Sequence, residues 1–329
     1  MRKSRILAGL ALASAAALVL TACNSGTPGD TGGTTGGDGG NSSDALFEVA
    51  TDVTIDGSPT FDAITKRGKV LVGVKEDQPG LGYLDPTTGE RTGFDVDIAR
   101  WVAASLGYGE EDITFQAIPS ANREQAIING DIDYYVGTYS ITDKRKEQIS
   151  FAGPYFITGQ GLLVASDSKI TGVDDLAGMN VCSATGSTSI LRIKEDHPEA
   201  TTTEFDTYSQ CVDQLLNGQV DAVTTDEAIL IGYAAQQPDK LKVVGDVFSE
   251  ERYGIGVQKG DTAIVEFINT MLTDGGSTWQ AIFEKNLGAS GVKGVQPKVD
   301  RVQWAGGRVG RPVGVPPSAS RRPGRAAPR

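Results

Sequence analysis

Between residues 61 and 298 the spacing of apolar positions switches repeatedly between two and just under four. Val70, Val72 and Val74 recur at every second position, which predicts a strand. Phe94, Ile98, Val102 and Leu106 then line one face of a predicted helix that stops at Gly107. Ile113, Phe115 and Ala117 alternate again, and Ser120 has the chemistry of an N-cap for a helix running through Ile128 to a stop at Gly130. Strand, helix, strand, helix is the pattern of an α/β domain with a largely parallel sheet.

One internal echo organises the rest. Ile127-Ile128-Asn129-Gly130-Asp131-Ile132-Asp133 returns 88 residues later as Leu215-Leu216-Asn217-Gly218-Gln219-Val220-Asp221. Each copy ends a helix at glycine and enters a predicted strand, over residues 132–137 and 220–224. Two lobes built alike are expected, with function between them at the carboxyl ends of the strands.

The ends of the chain change the picture. Arg2, Lys3 and Arg5 precede an apolar run over residues 6–20 with no acidic residue. A run of this length, about 15 residues, fits a secretory signal and is short for a membrane span. It closes on Leu20-Thr21-Ala22-Cys23, which resembles the lipobox of bacterial lipoproteins, in which cleavage precedes a lipidated cysteine. Residues 1–22 are therefore read as a lipoprotein signal peptide and Cys23 as the lipidation site. Residues 23–59 are read as a tether, Gly/Ser/Thr/Asp-rich over 24–44. Residues 301–329 hold seven arginines and no acid, without any periodicity, and read as a disordered basic tail. Such a tail suits contact with anionic lipid or wall polymer, or is an accident of the reading frame. The whole chain carries −12, the signal +3 and the tail +7, so residues 23–300 carry −22. That body does not seek nucleic acid, and an anionic ligand must be held by a local cluster of cations. Cys182 and Cys211 are two buried thiols or, in an exported protein, a disulfide closing a loop of about 30 residues.

Several segments, in order, resemble the polar amino-acid family of solute-binding proteins of ABC importers. They are Thr92-Gly93-Phe94-Asp95-Val96-Asp97-Ile98-Ala99, Ser140-Ile141-Thr142-Asp143-Lys144-Arg145, Phe151-Ala152-Gly153-Pro154-Tyr155, Asp175-Leu176-Ala177-Gly178, Thr185-Gly186-Ser187-Thr188 and Gly218-Gln219-Val220-Asp221-Ala222-Val223. Through Gly73-Val74-Lys75-Glu76-Asp77-Gln78-Pro79-Gly80 and the paired cysteines, the likeness is greatest to glutamate-binding lipoproteins of Gram-positive bacteria. The resemblance implies an α/β, two-lobed periplasmic-binding-protein-like fold closing on its ligand by hinge motion. Lobe one would comprise residues 60–157 and 256–300, and lobe two residues 160–252. Hinge strands would cross near residues 158–161 and 253–256.

It also implies a site. Arg145 would grip the α-carboxylate of an amino acid, because a planar guanidinium gives two parallel charge-assisted bonds. Thr185, Gly186, Ser187 and Thr188 would offer free N–H groups at a helix N-terminus from the other lobe. Asp226 would take the ammonium, while Gly137, Thr138 and Ser140 add neutral hydrogen bonds. Lys75 and Arg123 are the candidates for a side-chain carboxylate, and Tyr83 or Tyr139 for an aromatic wall. A polar amino acid, glutamate first and glutamine or aspartate as alternatives, is the expected ligand. No cofactor or metal is expected. The expected partners are the membrane subunits of an ABC permease. The protein would act as a monomer, lipid-anchored through Cys23 on the outer face of the cytoplasmic membrane.

Three rival classes make different demands on the chain. An enzyme on the same fold would need catalytic groups, but the single histidine, His197, directly precedes Pro198 at a predicted helix end, so no Ser-His-Asp set assembles and only carboxylate chemistry is left. A sensor module would call for a membrane-spanning segment after the domain. A purely structural surface lipoprotein would bind no ligand.

Overall fold

A computed structural model describes residues 46–300. Cys23, the signal peptide, the first part of the tether and the basic tail lie outside the described residues. Along the chain run α1 (Pro59–Arg67), β1 (Val70–Val74), β2 (Asp77–Gln78), β3 (Gly82–Leu84), β4 (Arg91–Thr92), α2 (Phe94–Ser105), β5 (Ile113–Ala117), α3 (Arg123–Asn129), β6 (Tyr134–Tyr135), α4 (Asp143–Lys146) and β7 (Ser150–Thr158). Then follow β8 (Gln160–Ala165), β9 (Asn180–Ala184), α5 (Thr188–Asp196), β10 (Thr201–Phe205), α6 (Tyr208–Leu216), β11 (Ala222–Asp226), α7 (Glu227–Gln236) and β12 (Leu241–Val244). The last elements are β13 (Glu251–Val257), α8 (Thr262–Asp274) and α9 (Gly276–Leu287).

Two five-stranded sheets carry the two lobes. Their orders are β5-β1-β6-β13-β7 and β10-β9-β11-β8-β12, and β2-β3-β4 form a small third sheet. In the first sheet β1 pairs parallel with β5 and β6, while β13 runs antiparallel to β6 and β7. The second repeats this plan: β9 pairs parallel with β10 and β11, and β8 runs antiparallel to β11 and β12.

The sequence echo has a physical cause. Asp133 donates its N–H to the Leu71 carbonyl at 2.8 Å, and its carboxylate accepts the Leu71 N–H at 2.7 Å. Asp221 does the same with Asn180, at 2.8 and 2.7 Å. In both lobes one aspartate thus clamps the start of the incoming strand to its parallel neighbour. Ahead of it, Gly130 caps α3 in the left-handed region at φ 73°, which a Cβ would disfavour.

The predicted helix face is fully packed: Phe94, Ile98, Val102 and Leu106 are all buried. Phe94 meets Trp279 edge-on at 5.7 Å between ring centroids, and the Trp279 indole donates to the Tyr155 carbonyl at 2.8 Å. Boundaries differ from the reading in places. The strand expected over 132–137 is reduced to Tyr134–Tyr135, because only Val72 and Gly73 face it across the ladder. Ser120 opens a 3-10 turn over Ser120–Asn122, and the α-helix itself begins at Arg123. Residues 46–59, assigned to the tether, are part of the folded body. Leu46, Phe47, Val53 and Ile55 pack against the core, and the Ala50 N–H donates to the Ala104 carbonyl at 2.8 Å, since four apolar side chains find cover there.

The chain leaves the first sheet at Thr158 and enters the second at Gln160; it returns between Val244 and Glu251. Tyr253 and Gly256, near which the return crossing was expected, lie within β13, where they pair with Phe156 and Phe151 of β7. Cys182 of β9 and Cys211 of α6 form a disulfide with a Cα–Cα distance of 5.5 Å, fixing α6 to the second sheet.

Candidate functional site

Three cations meet at the carboxyl ends of the first sheet's strands. Lys75 follows β1, Arg123 opens α3, and Arg145 lies in the single turn α4, whose N-cap Thr142 accepts the Arg145 N–H at 3.2 Å. All three are buried, with 4, 2 and 7% of their surface exposed. Lys75 Nζ donates to Ser120 Oγ at 2.8 Å. Arg123 donates to the Ser120 carbonyl at 3.1 Å and stands over the Tyr139 ring at 4.2 Å. Arg145 stands over the same ring at 5.0 Å, so one aromatic side chain serves two guanidinium groups. Tyr83, the other aromatic candidate, sits in β3 opposite Asp77 and Thr92.

The guanidinium of Arg145 spans the lobes. Its Nη1 donates to the Ser140 carbonyl at 2.7 Å, and its Nη2 to the Gly186 carbonyl at 3.1 Å. Nε pairs with Glu124 at 3.2 Å. An arginine has five N–H groups, so one on each terminal nitrogen remains. Gly186 itself sits at φ 76°, with an added Cβ falling 2.7 Å from the Ala121 Cα of the other lobe. No side chain fits there while the lobes touch.

Thr138 is held in the left-handed region at φ 46°, unusual for a β-branched residue. Asp95, in the first turn of α2, secures it by accepting the Thr138 N–H at 2.8 Å, and Gln78 bonds its hydroxyl at 3.1 Å. Burial raises the Asp95 carboxyl to about 6, against the lowering effect of bonds from Tyr155 and Thr138. Ser140 is buried beside it and bridges to Tyr253.

From the second lobe, Ser187 caps α5 by accepting the Ile190 N–H at 3.1 Å. Thr185 donates its N–H to the Phe205 carbonyl at 2.8 Å, and the Thr188 hydroxyl donates to Glu251 at 3.1 Å. Asp226 ends β11 and is 4% exposed. Tyr253 donates to its Oδ2 at 2.7 Å, while Oδ1 is buried with no partner. Burial, then the nearby Glu251 charge, raises the Asp226 carboxyl to about 7; Tyr253, Arg145 and Arg123 pull the other way. Lys75 is lowered to about 7, by burial first and then by Arg123, with Asp77 opposing. These mutual effects tie Lys75, Arg123, Arg145 and Asp226 into one electrostatic unit. Of these four, Lys75 alone borders a cavity of about 90 Å³, which is closed by Asp77 and Pro119 of one lobe and Thr207 of the other. Larger depressions on other faces, one lined by Lys169 and Leu215 and another by Glu48 and Phe267, gather no such set of buried cations.

Of the ligand-contact candidates named from the sequence, Lys75, Arg123, Thr138, Ser140, Arg145, Ser187 and Asp226 are buried, Thr185 and Thr188 are half-buried and Gly186 is exposed. Glu124, Tyr253, Gln78 and Asp95 were missed as members. Asp95 stood within the quoted Gly93-Phe94-Asp95-Val96-Asp97 segment, which was the available signal. His197 is the C-cap of α5, at the end opposite its Ser187 cap, and lies 3.5 Å from Glu199. Among the described residues no helix is long and apolar enough to cross a membrane.

Known proteins resemble this chain. The glutamate-binding protein GluB of Corynebacterium efficiens is 40% identical over 248 residues, covering 71% of this chain and 83% of its own. A glutamine-binding protein of Geobacillus stearothermophilus is 44% identical over 204 residues, 62% of this chain and 78% of its own. Among solved structures, an ancestral arginine-binding protein bound to glutamine superposes with a TM-score of 0.63 at 34% identity, covering 68% of this chain and 99% of its own. The family model of bacterial extracellular solute-binding proteins, family 3, matches residues 70–289. The chain belongs to that family.

Proposed function

We propose that this protein is the ligand-binding receptor of an ABC importer for a polar amino acid, with glutamate as its ligand. The observation that carries this reading is the buried trio Lys75, Arg123 and Arg145, for which Glu124 supplies the only directly paired carboxylate among the described residues. Three buried cations are strongly unfavourable unless anions complete the site, and a dicarboxylic amino acid brings two. Arg145 grips the α-carboxylate with its remaining N–H groups, joined by the free N–H groups at the start of α5. Asp226 receives the ammonium through its unpartnered Oδ1, with Oδ2 held by Tyr253. Lys75 and Arg123 face the side-chain carboxylate, and Tyr139 keeps the guanidinium groups in place.

The names of the two relatives above support a glutamate or glutamine ligand, and the cation count favours glutamate. The chain up to residue 158 together with residues 251–300, and residues 160–244, act as two lobes that close by bending near Gly159 and the 245–250 return. Cys23 anchors a monomeric, non-catalytic protein outside the membrane, where it delivers its cargo to the permease. Glutamine or aspartate is the second reading, since the same α-carboxylate and ammonium contacts serve both.

Melting temperature against a panel of amino acids tests the assignment. A ligand at 100 times its Kd adds about 2.7 kcal/mol, a shift of several degrees for a domain of this size. The expected order is glutamate, then aspartate, with little from glutamine. A shift with glutamine or arginine alone would keep the importer and remove the anionic side-chain pocket. No shift with any amino acid would overturn the receptor reading.

A further inference from the structure

Among the polar links between the lobes that the proposed ligand contacts leave unused, those at Asp77 are made by two helices at once. Asp77 lies in β2, on the small sheet of the first lobe, and two helices of the second lobe converge on it. The Ser209 N–H, a free donor in the first turn of α6, donates to Asp77 Oδ2 at 3.1 Å. The Tyr233 hydroxyl, from α7, donates to the Asp77 carbonyl at 2.5 Å and also lies 3.1 Å from Oδ2. Burial and the adjoining Asp77 charge hold the Tyr233 hydroxyl well above its ordinary pKa, so it stays a donor. Two residues on, the Pro79 carbonyl oxygen comes within 2.3 Å of where a Cβ at Gly232 of α7 would stand. Only glycine permits that approach, although the middle of a helix disfavours it. The receiving helix α6 is in turn tied to β9 by the Cys182–Cys211 disulfide. Asp77 bonds to none of the three cations; its bonds to the second lobe exist only while the lobes touch.

Resting on the reading of two lobes that close over an amino acid, we propose that Asp77 is a positioning residue that latches the closed state and sets how long the ligand is retained. The Asp77 bonds to Ser209 and Tyr233, with the bare Gly232 backbone letting them form, hold the lobes shut from the edge of the ligand site, where Asp77 borders the cavity beside Lys75. The latch acts on the lobe equilibrium alone, so it scales the dissociation of every ligand by one factor and leaves the preference among ligands unchanged.

Stopped-flow dissociation of glutamate and of one weaker-binding amino acid tests this with Asp77→Asn, Tyr233→Phe and Gly232→Ala. Each variant should release both ligands about tenfold faster, which corresponds to ~1.4 kcal/mol. The ligand-free melting temperature should be unchanged in Asp77→Asn and unchanged or higher in Gly232→Ala, where a better helix former replaces glycine. Unchanged dissociation in Asp77→Asn and Gly232→Ala would overturn the latch. So would a factor that differs between the two ligands in Tyr233→Phe or Gly232→Ala, which leave the Asp77 charge beside Lys75 in place, or a matching loss of ligand-free stability, which makes the contact merely structural. If the parent binds no amino acid, the receptor reading fails separately. The latch is then judged by small-angle scattering of the ligand-free proteins: larger radii of gyration in both variants support it, and radii equal to the parent's overturn it.

Discussion

Lys75 carries its charge into a space already shared by two guanidinium groups, which makes stability and function pull in opposite directions. Its ammonium is buried, with Ser120 Oγ at 2.8 Å as its hydrogen-bond partner. Burial, then Arg123, lowers its pKa from 10.5 to about 7. A lysine in the unfolded chain keeps its proton up to about pH 10.5, so between about 7 and 10.5 the unfolded state binds more protons and folded stability rises with pH. Below about pH 7 both states are protonated and the full penalty is present. At about 1.4 kcal/mol per pH unit, that interval corresponds to roughly 5 kcal/mol, a ceiling because opening the cleft rehydrates the ammonium. Lys75→Met keeps the apolar stem and removes the charge, while losing the Ser120 bond costs about 1 kcal/mol. The ligand-free variant should gain about 2–3 kcal/mol near pH 6, a rise in Tm on the order of 5–10 °C, and its stability should depend less on pH between about 7 and 9. The stabilisation from added glutamate should shrink in the same variant. Scanning calorimetry across this pH range, with and without glutamate, measures both effects. A ligand-free Lys75→Met no more stable than the parent near pH 6, with the parent's pH slope, would refute the argument that buried like charges strain the site.

Other outcomes follow from the same geometry. Arg145→Ala should abolish amino-acid binding in calorimetric titration, whereas Arg123→Ala should chiefly reduce the preference for glutamate over glutamine, by about tenfold if one charge-assisted bond is lost. Gly186→Ala, which sets a Cβ 2.7 Å from the Ala121 Cα, should weaken binding of every ligand while circular dichroism stays that of the parent. Replacing Cys182 and Cys211 by serine removes a link across 29 residues. That should cost about 3–4 kcal/mol, or a fall in Tm on the order of 10 °C by thermal unfolding, and an unchanged Tm would count against the cross-link as a stabilising element.

What the sequence disclosed depended on how local its cause was. The face of α2 was readable because Phe94, Ile98, Val102 and Leu106 obey one period, and all are buried. The doubled architecture was readable because Asp133 and Asp221 perform the same clamp in the two sheets. Ser187 was placed at a helix start by the family resemblance, and it caps α5. Contacts made across the fold left no local mark. Nothing near Tyr253 announces that its hydroxyl reaches Asp226, 27 residues back, and nothing near Asp77 announces Tyr233, 156 residues on. Residues 46–59 followed the Gly-rich stretch and were grouped with it, although Val53 and Ile55 were apolar enough to pack. The strand at β6 was expected but drawn too long, because strand length depends on the partner's extent, which the segment itself does not encode.

The interleaving of β13 between β6 and β7 has a consequence for assembly. The strands of the second sheet lie within one uninterrupted stretch, from Gln160 to Val244, and that sheet can close as soon as the stretch has emerged. The first sheet cannot: until Glu251–Val257 arrives, β6 and β7 have an unfilled gap between them, and the surface that α8 and α9 will cover stays exposed. Such open strand edges invite pairing with other chains. As the chain appears from its N-terminus, the segment made first is therefore completed last, and the interval before its final strand docks is when the protein most needs shelter from its neighbours.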